Sequence, residues 1–302
     1  MRRLTIHIIT VIYNRKIEEI VSLRQFEKLV RHRPEVELII ADNSTEVTVL
    51  EQNKLAAVKR GWLRYIGCGG NIGLSRAYNL AIASIPEESP YWVMLADDDT
   101  FFSMEYLERA CRQVHVEEAL RMEAGQCVKA GQGSARRERL RVLCGVVLTG
   151  DTGNRFLSPR SEHAKELAFF GMLRPPKPGI YQDLYPINSG LFLEGSAIRE
   201  AGGFDERLFL DQVDYLMMDR LRAHGIRRIG IVPGLIRQSF SGDLRKAFAK
   251  DGQKEPAGKG NRDRIFRKDF QTYCELTGKP WYYRSFILGR RRLMLTAKHL
   301  LG

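Results

Sequence analysis

Apolar residues in the N-terminal third of the chain alternate between two periods. Leu4 to Ile12 is a run rich in Ile, Val and Thr, the signature of a buried strand. Ile17, Ile20, Val21, Leu23, Phe26, Leu29 and Val30 then recur at three- and four-residue steps, predicting a helix. Val36 to Ile40 predicts a second strand, closed by the polar turn Ala41 to Thr45, and Val47 to Lys59 a second helix. Trp62 to Ile66 gives a third strand, and Leu74, Ala77, Tyr78, Leu80, Ala81 and Ile85 a third amphipathic helix. Tyr91 to Ala96 is a fourth strand that ends on three adjacent carboxylates, Asp97, Asp98 and Asp99. Strands separated by helices of this length imply right-handed crossovers: an α/β fold with a mostly parallel sheet and helices on both faces.

The pattern loosens downstream. Glu117 to Arg139 is charged and predicts a helix followed by a solvated loop with a Gly/Ser break at Gly131 to Ser134. Leu140 to Leu148 and Arg227 to Val232 predict further strands. Asp151 to Gly179, with Pro175, Pro176 and Pro178, is too long for an ordinary turn and is either an acceptor-side loop or a surface excursion. Lys250 to Asn261 is polar and glycine-bearing and marks a boundary; Arg264 to Leu276 then carries a helical stripe of Ile265, Phe266, Phe270 and Tyr273. The expected organisation is a domain over 1–245, with a nucleotide-binding half at 1–100 and an acceptor and catalytic half at 101–245, followed by a helical extension over 246–302.

Composition narrows the partners. The chain has 302 residues, 44% of them hydrophobic, enough for a full core, and a formal charge of +12 that calls for anionic company. Its basic residues form no nucleic-acid reader motif. The five cysteines are dispersed without a CxxC pair, which argues against a disulfide framework or zinc site and fits a reducing cytoplasm. Met1-Arg2-Arg3 before Leu4 to Tyr13 has the outline of a signal peptide, but His7, Thr10 and Asn14-Arg15 interrupt it and no small-residue cleavage site follows. No apolar run reaches bilayer-spanning length.

The carboxylate triplet is the main chemical signal. Three adjacent acids repel one another, and at the end of a buried strand they call for a divalent cation with oxygen ligands. The competing reading is a solvated acidic turn in which Thr100 caps a helix through Met104 and Leu107. Gly67-x-Gly69-Gly70-x-x-Gly73 can be forced onto the dinucleotide fingerprint, but it follows the third strand instead of the first. A haloacid-dehalogenase-type phosphatase fails similarly, because its acids follow the first strand and Phe101 stands where Thr or Val is needed.

Thr10 to Arg15 with Tyr13-Asn14-Arg15, Asp42-Asn43-Ser44, Asn71-Ile72-Gly73 with Ala77 and Asn79, and the fourth-strand aspartates resemble, in order and spacing, the inverting family 2 glycosyltransferases of the GT-A fold. Asn188 to Phe192, Gly202 to Glu206, Leu208 to Tyr215, Arg220 to Gly225 and Trp281 to Arg284 resemble the bacterial rhamnosyltransferase and galactofuranosyltransferase branch. The resemblance implies a metal-dependent, inverting transfer of a rhamnose or galactofuranose-like sugar from a dTDP- or UDP-sugar, with Mg or Mn as cofactor. The implied acceptor is a saccharide or polyprenyl-diphosphate-linked glycan in cell-surface polysaccharide synthesis.

By the same resemblance Asp99 coordinates the metal, Asp97 lies near the metal or ribose, and Asp98 borders the nucleotide. Asp42 would accept from a pyrimidine imino group, while Thr10, Tyr13, Arg15, Asn71 and Gly73 would line the base and phosphates. Arg76 is either a diphosphate-facing cation or an exposed helix residue. Asp214 is the candidate base, with Asp211 as competitor and Val213 as a departure from the family's Glu-Asp pair. Gln238 stands where the family commonly places a metal-binding His, so metal binding is expected to be weaker, to favour Mg or to recruit Asp243. The alternative function is a nucleotide-sugar-binding or membrane-surface module without turnover. The tail from Trp281 to Gly302 mixes aromatic and aliphatic residues with Arg284, Arg290, Arg291, Arg292 and Lys298 and has no acid. It suits either the anionic inner face of a membrane or packing on the main domain.

Overall fold

The computed structural model describes residues 4–129, 139–149, 155–161, 174–239 and 259–300. The expected break at Gly131 to Ser134, Asp243, and most of the 151–173 stretch lie outside the described residues.

The strands are β1 (Thr5–Ile12), β2 (Val36–Asp42), β3 (Leu63–Gly67), β4 (Tyr91–Leu95), β5 (Thr100–Phe102), β6 (Val142–Cys144), β7 (Val147–Thr149), β8 (Phe156–Ser158), β9 (Arg160–Ser161), β10 (Gly179–Gln182), β11 (Leu184–Tyr185), β12 (Leu191–Glu194), β13 (Arg228–Ile231) and β14 (Ile236–Gln238). The helices are α1 (Leu23–His32), α2 (Val47–Lys59), α3 (Leu74–Ala83), α4 (Met104–Lys129), α5 (Gly195–Glu200), α6 (Val213–Ala223), α7 (Lys259–Leu276) and α8 (Trp281–Leu300). The main sheet has eight strands in the order β10-β13-β6-β12-β4-β1-β2-β3. Its N-terminal half is parallel throughout, as the alternation predicts, whereas β12 runs antiparallel to both β4 and β6.

Both faces of this sheet are covered, which is why its central strands read as unbroken apolar runs. In β4, Tyr91, Val93 and Leu95 point into one core with α3, α5, α6 and α7, while Trp92 and Met94 point into the other with α1 and α4. Phe270, Tyr273 and Cys274 of α7 are buried in the first core, so this part of the C-terminal region is built into the main body. No helix among the described residues is long and apolar enough to cross a membrane.

Two local expectations are corrected, and one competing reading falls away. The first predicted helix divides into a 3-10 turn at Ile17–Glu19 and α1 from Leu23. The Leu140 to Leu148 run divides into β6 and β7, which belong to different sheets. Thr100 lies in β5 instead of capping a helix. Together β5, β14, β7 and β8 form a four-stranded sheet at the end of β4, with Gln238 registered opposite Thr100.

Candidate active site

Where β4 ends, Ala96 still donates to the Ile9 carbonyl of β1 at 3.0 Å, and the chain then turns the three aspartates out of the sheet. Asp97 accepts hydrogen bonds from the Ser189 hydroxyl and from Gln238 Nε2, the latter at 2.9 Å. Gln238 Nε2 also reaches Asp99 Oδ1 at 3.4 Å, so one carboxamide spans two carboxylates. Asp98 turns the other way and pairs with Arg15 at 3.0 Å. Burial, aided by the charges of Asp99, Asp98 and Asp214 and opposed by the Ser189 hydrogen bond, pushes the Asp97 carboxyl up to about 7. Burial likewise lifts Asp98 to about 6, with Arg15 opposing the rise, and Asp99 is raised.

Asp214 occupies the first turn of α6 and is close enough to bear on Asp97. Burial, and after it the charges of Asp97, Asp214 and Asp98, raise the Tyr78 hydroxyl of α3, so the triplet and Asp214 all lie near this side chain. The rival Asp211 forms a two-pronged pair with Arg262 of α7, with the longer contact at 2.9 Å. Val213 is buried in the core.

The loops after β1, β2 and β3 are tied into one rim. Asn14, at φ 46°, accepts the backbone N–H groups of Thr45 and Glu46 at 2.8 and 3.1 Å and donates its own to the Ser44 hydroxyl at 2.8 Å. Asn43 donates to the Gly73 carbonyl at 3.1 Å and accepts from Ile72 N–H at 3.2 Å, and Asn71 accepts from Gly73 N–H at 3.3 Å. Gly73 has φ 88°, and a Cβ there would lie 2.7 Å from the Phe209 ring and 2.8 Å from its carbonyl, so only glycine lets this loop approach the segment leading to Asp214.

Asp42 is fully buried and accepts from Ser44 N–H, Asn53 and the Tyr65 hydroxyl at 2.9, 2.8 and 2.8 Å, using three of about four carboxylate acceptor positions. Thr10 is buried with its hydroxyl unpartnered, and Tyr13 is exposed on the rim. Arg76 lies on the outer side of α3, more than half exposed and 3.5 Å from Glu206. His224 is an exposed residue after α6.

The donor set fits a hard divalent cation. Asp97, Asp99 and Gln238 offer oxygen ligands, and Gln238 Oε1 is buried without a partner. Among the described residues no group of three or more His, Cys, Asp or Glu could hold a metal. An ion here would therefore be held by Asp97 and Asp99, joined by the Gln238 carbonyl once the carboxamide turns over from its present Nε2-inward pose, and would complete its shell with substrate oxygens and water.

Sequence reasoning missed several parts of the site. Ser189 was visible only as part of a motif, and its bond to Asp97 depends on β12 lying beside β4. Asn53 and Tyr65 hold Asp42 from a helix and a neighbouring strand. Asp269 of α7 is fully buried and accepts the backbone N–H groups of Phe209, Leu210 and Asp211 at 3.0, 2.7 and 2.8 Å, fixing the segment that enters α6. Its available signal was an acid beside Phe270 within the stripe of α7.

Comparison with known proteins gives the family. No curated protein matches the chain. Among solved structures, S. aureus TarS 1-349 is similar at 15% identity and a TM-score of 0.52, covering 90% of this chain and 72% of that one. The same TarS fragment in complex with UDP-GlcNAc gives 13% identity and a TM-score of 0.51, with 94% and 70% coverage. GalNAc-T7 with UDP, GalNAc and Mn2+ gives 12% and 0.51, covering 78% of this chain and 44% of that one. At such identity these likenesses speak for the fold, which is GT-A. The sequence profile of glycosyl transferase family 2 matches residues 7–175, more than half of the chain, and with most of β1, all of β2 to β4 and the aspartate triplet inside that span the protein belongs to this family.

Proposed function

We propose that the chain is an inverting hexosyltransferase that moves a rhamnose or galactofuranose-like sugar from a UDP- or dTDP-sugar to a saccharide or lipid-linked glycan in cell-surface polysaccharide synthesis. The observation that carries this reading is the cluster at the end of β4, where Ser189 and Gln238 hold Asp97, Gln238 also reaches Asp99, and Asp214 in the first turn of α6 is near enough to act on Asp97. Asp214 takes the proton from the acceptor hydroxyl as that oxygen attacks the anomeric carbon from the face opposite the departing nucleotide. Asp97 and Asp99, joined by Gln238 once its carboxamide turns over, would hold the cation, which when bound would supply Lewis-acid stabilisation of the diphosphate leaving group. Thr10, Tyr13, Arg15, Asp42 and the Asn71 to Gly73 turn border the nucleotide, with Arg15 held by Asp98. Arg76 serves the diphosphate only by leaving Glu206.

The acceptor is met at the inner face of a membrane, a reading supported by the cation-rich, acid-free tail from Trp281 onward. A second reading, donor binding without turnover, draws on Gln238, whose amide already bridges Asp97 and Asp99. A panel of UDP- and dTDP-sugars with Mg or Mn and a saccharide acceptor tests the proposal. Nucleotide release and a product of inverted anomeric configuration by NMR are expected. Donor binding with no release from any sugar would select the second reading.

A further inference from the structure

Helix α8 has apolar residues on two sides and uses one. Tyr283, Ile287 and Leu288 pack against the core, the Tyr283 ring lies 6.1 Å from that of Phe270, and Arg291 pairs with Asp263 at 2.9 Å. Among the described side chains of α8 the exposed positions are 281, 282, 285, 286 and 289, a single stripe at helical spacing. It reads Trp281, Tyr282, Ser285, Phe286 and Gly289, without a charge. Trp281 is 74% exposed, Tyr282 63% and Phe286 60%. A helix face that only meets water carries its charges there; here Arg284 and Arg291 lie partly buried, off the stripe.

We infer that this stripe is a docking face for an anionic lipid leaflet. Trp and Tyr rings settle at headgroup level, with an apolar body toward the acyl chains and a polar edge toward water. From Trp281 onward the chain carries five Lys and Arg residues and no acid, a balance complementary to lipid phosphates even with Arg291 engaged by Asp263. The helix is not apolar enough to span, so it lies along the surface. The inference deepens the proposed function by placing a lipid-linked acceptor beside the enzyme, but binding itself needs no turnover.

The test uses the full chain and vesicles of phosphatidylglycerol mixed with phosphatidylcholine, against phosphatidylcholine alone. Sedimentation with the anionic vesicles only, weakened by salt and accompanied by a blue shift of tryptophan fluorescence, is expected. The triple variant Trp281→Ala, Tyr282→Ala, Phe286→Ala removes only exposed rings. It should keep the melting temperature and transfer to a soluble acceptor while losing vesicle binding about tenfold or more. Equal binding by the variant, no binding to anionic vesicles, or a dimer that the variant dissociates would overturn the inference. Failure of soluble transfer in the unmodified chain would count against the enzyme reading alone.

Discussion

Asp97 is held by two donors and surrounded by like charge, and its titration follows from that position. Its pKa rises on folding from 3.8 to about 7, so the folded chain keeps a proton that the unfolded chain releases. The ion-free protein should therefore lose stability as pH rises from about 4 to about 7 and level off above. A cation displaces that proton, so Mg should raise the melting temperature more at about pH 8 than at about pH 5.5. A pH-independent Mg effect, measured by thermal melts, would argue against binding at these carboxylates. Gly73→Ala forces a Cβ into Phe209 at a left-handed backbone position and should cost about 1–3 kcal/mol in urea melts. Asp97 to Asp99 were legible because the signal is contiguous. Ser189 and Asn53 were not, since a lone polar residue becomes informative only when another segment is brought beside it.

At the scale of elements, α7 behaves as a clamp on the approach to α6. Asp269 takes three backbone donors, Arg262 pairs with Asp211, and the Tyr273 hydroxyl donates to Asp219 on α6 at 2.7 Å. Asp269→Ala leaves those N–H groups without acceptors and should cost roughly 2 kcal/mol or more, with kcat reduced by up to about 100-fold as Asp214 drifts. Urea melts and steady-state kinetics check both, and an unchanged kcat at lower stability would reduce α7 to a scaffold. The alternation of apolar periods revealed β1 to β4 and α2 and α3 because each buries a regular face. It misjudged Leu140 to Leu148, where Gly145 admits Ile236 and Tyr106 into space a side chain would fill and the strand changes sheets. The competing helix-cap reading of Thr100 falls because pairing with Gln238, 138 residues away, outweighs a local capping signal.

For the whole molecule, the fold brings residues from distant parts of the sequence to the carboxyl end of β4. The parallel half supplies the loops after β1, β2 and β3, β12 and β14 bring Ser189 and Gln238, and α6 brings Asp214. The parallel half was legible in the sequence. The antiparallel insertion of β12 was not, because a short apolar strand carries no direction of its own. The most direct measurement compares the unmodified chain with Asp214→Asn, following nucleotide release from the accepted donor and metal-dependent thermal stabilisation by that donor. Turnover should fall by about 100-fold or more in Asp214→Asn with donor stabilisation retained. Near-normal turnover in Asp214→Asn, or loss of donor binding together with turnover, would contradict the role of Asp214 as base.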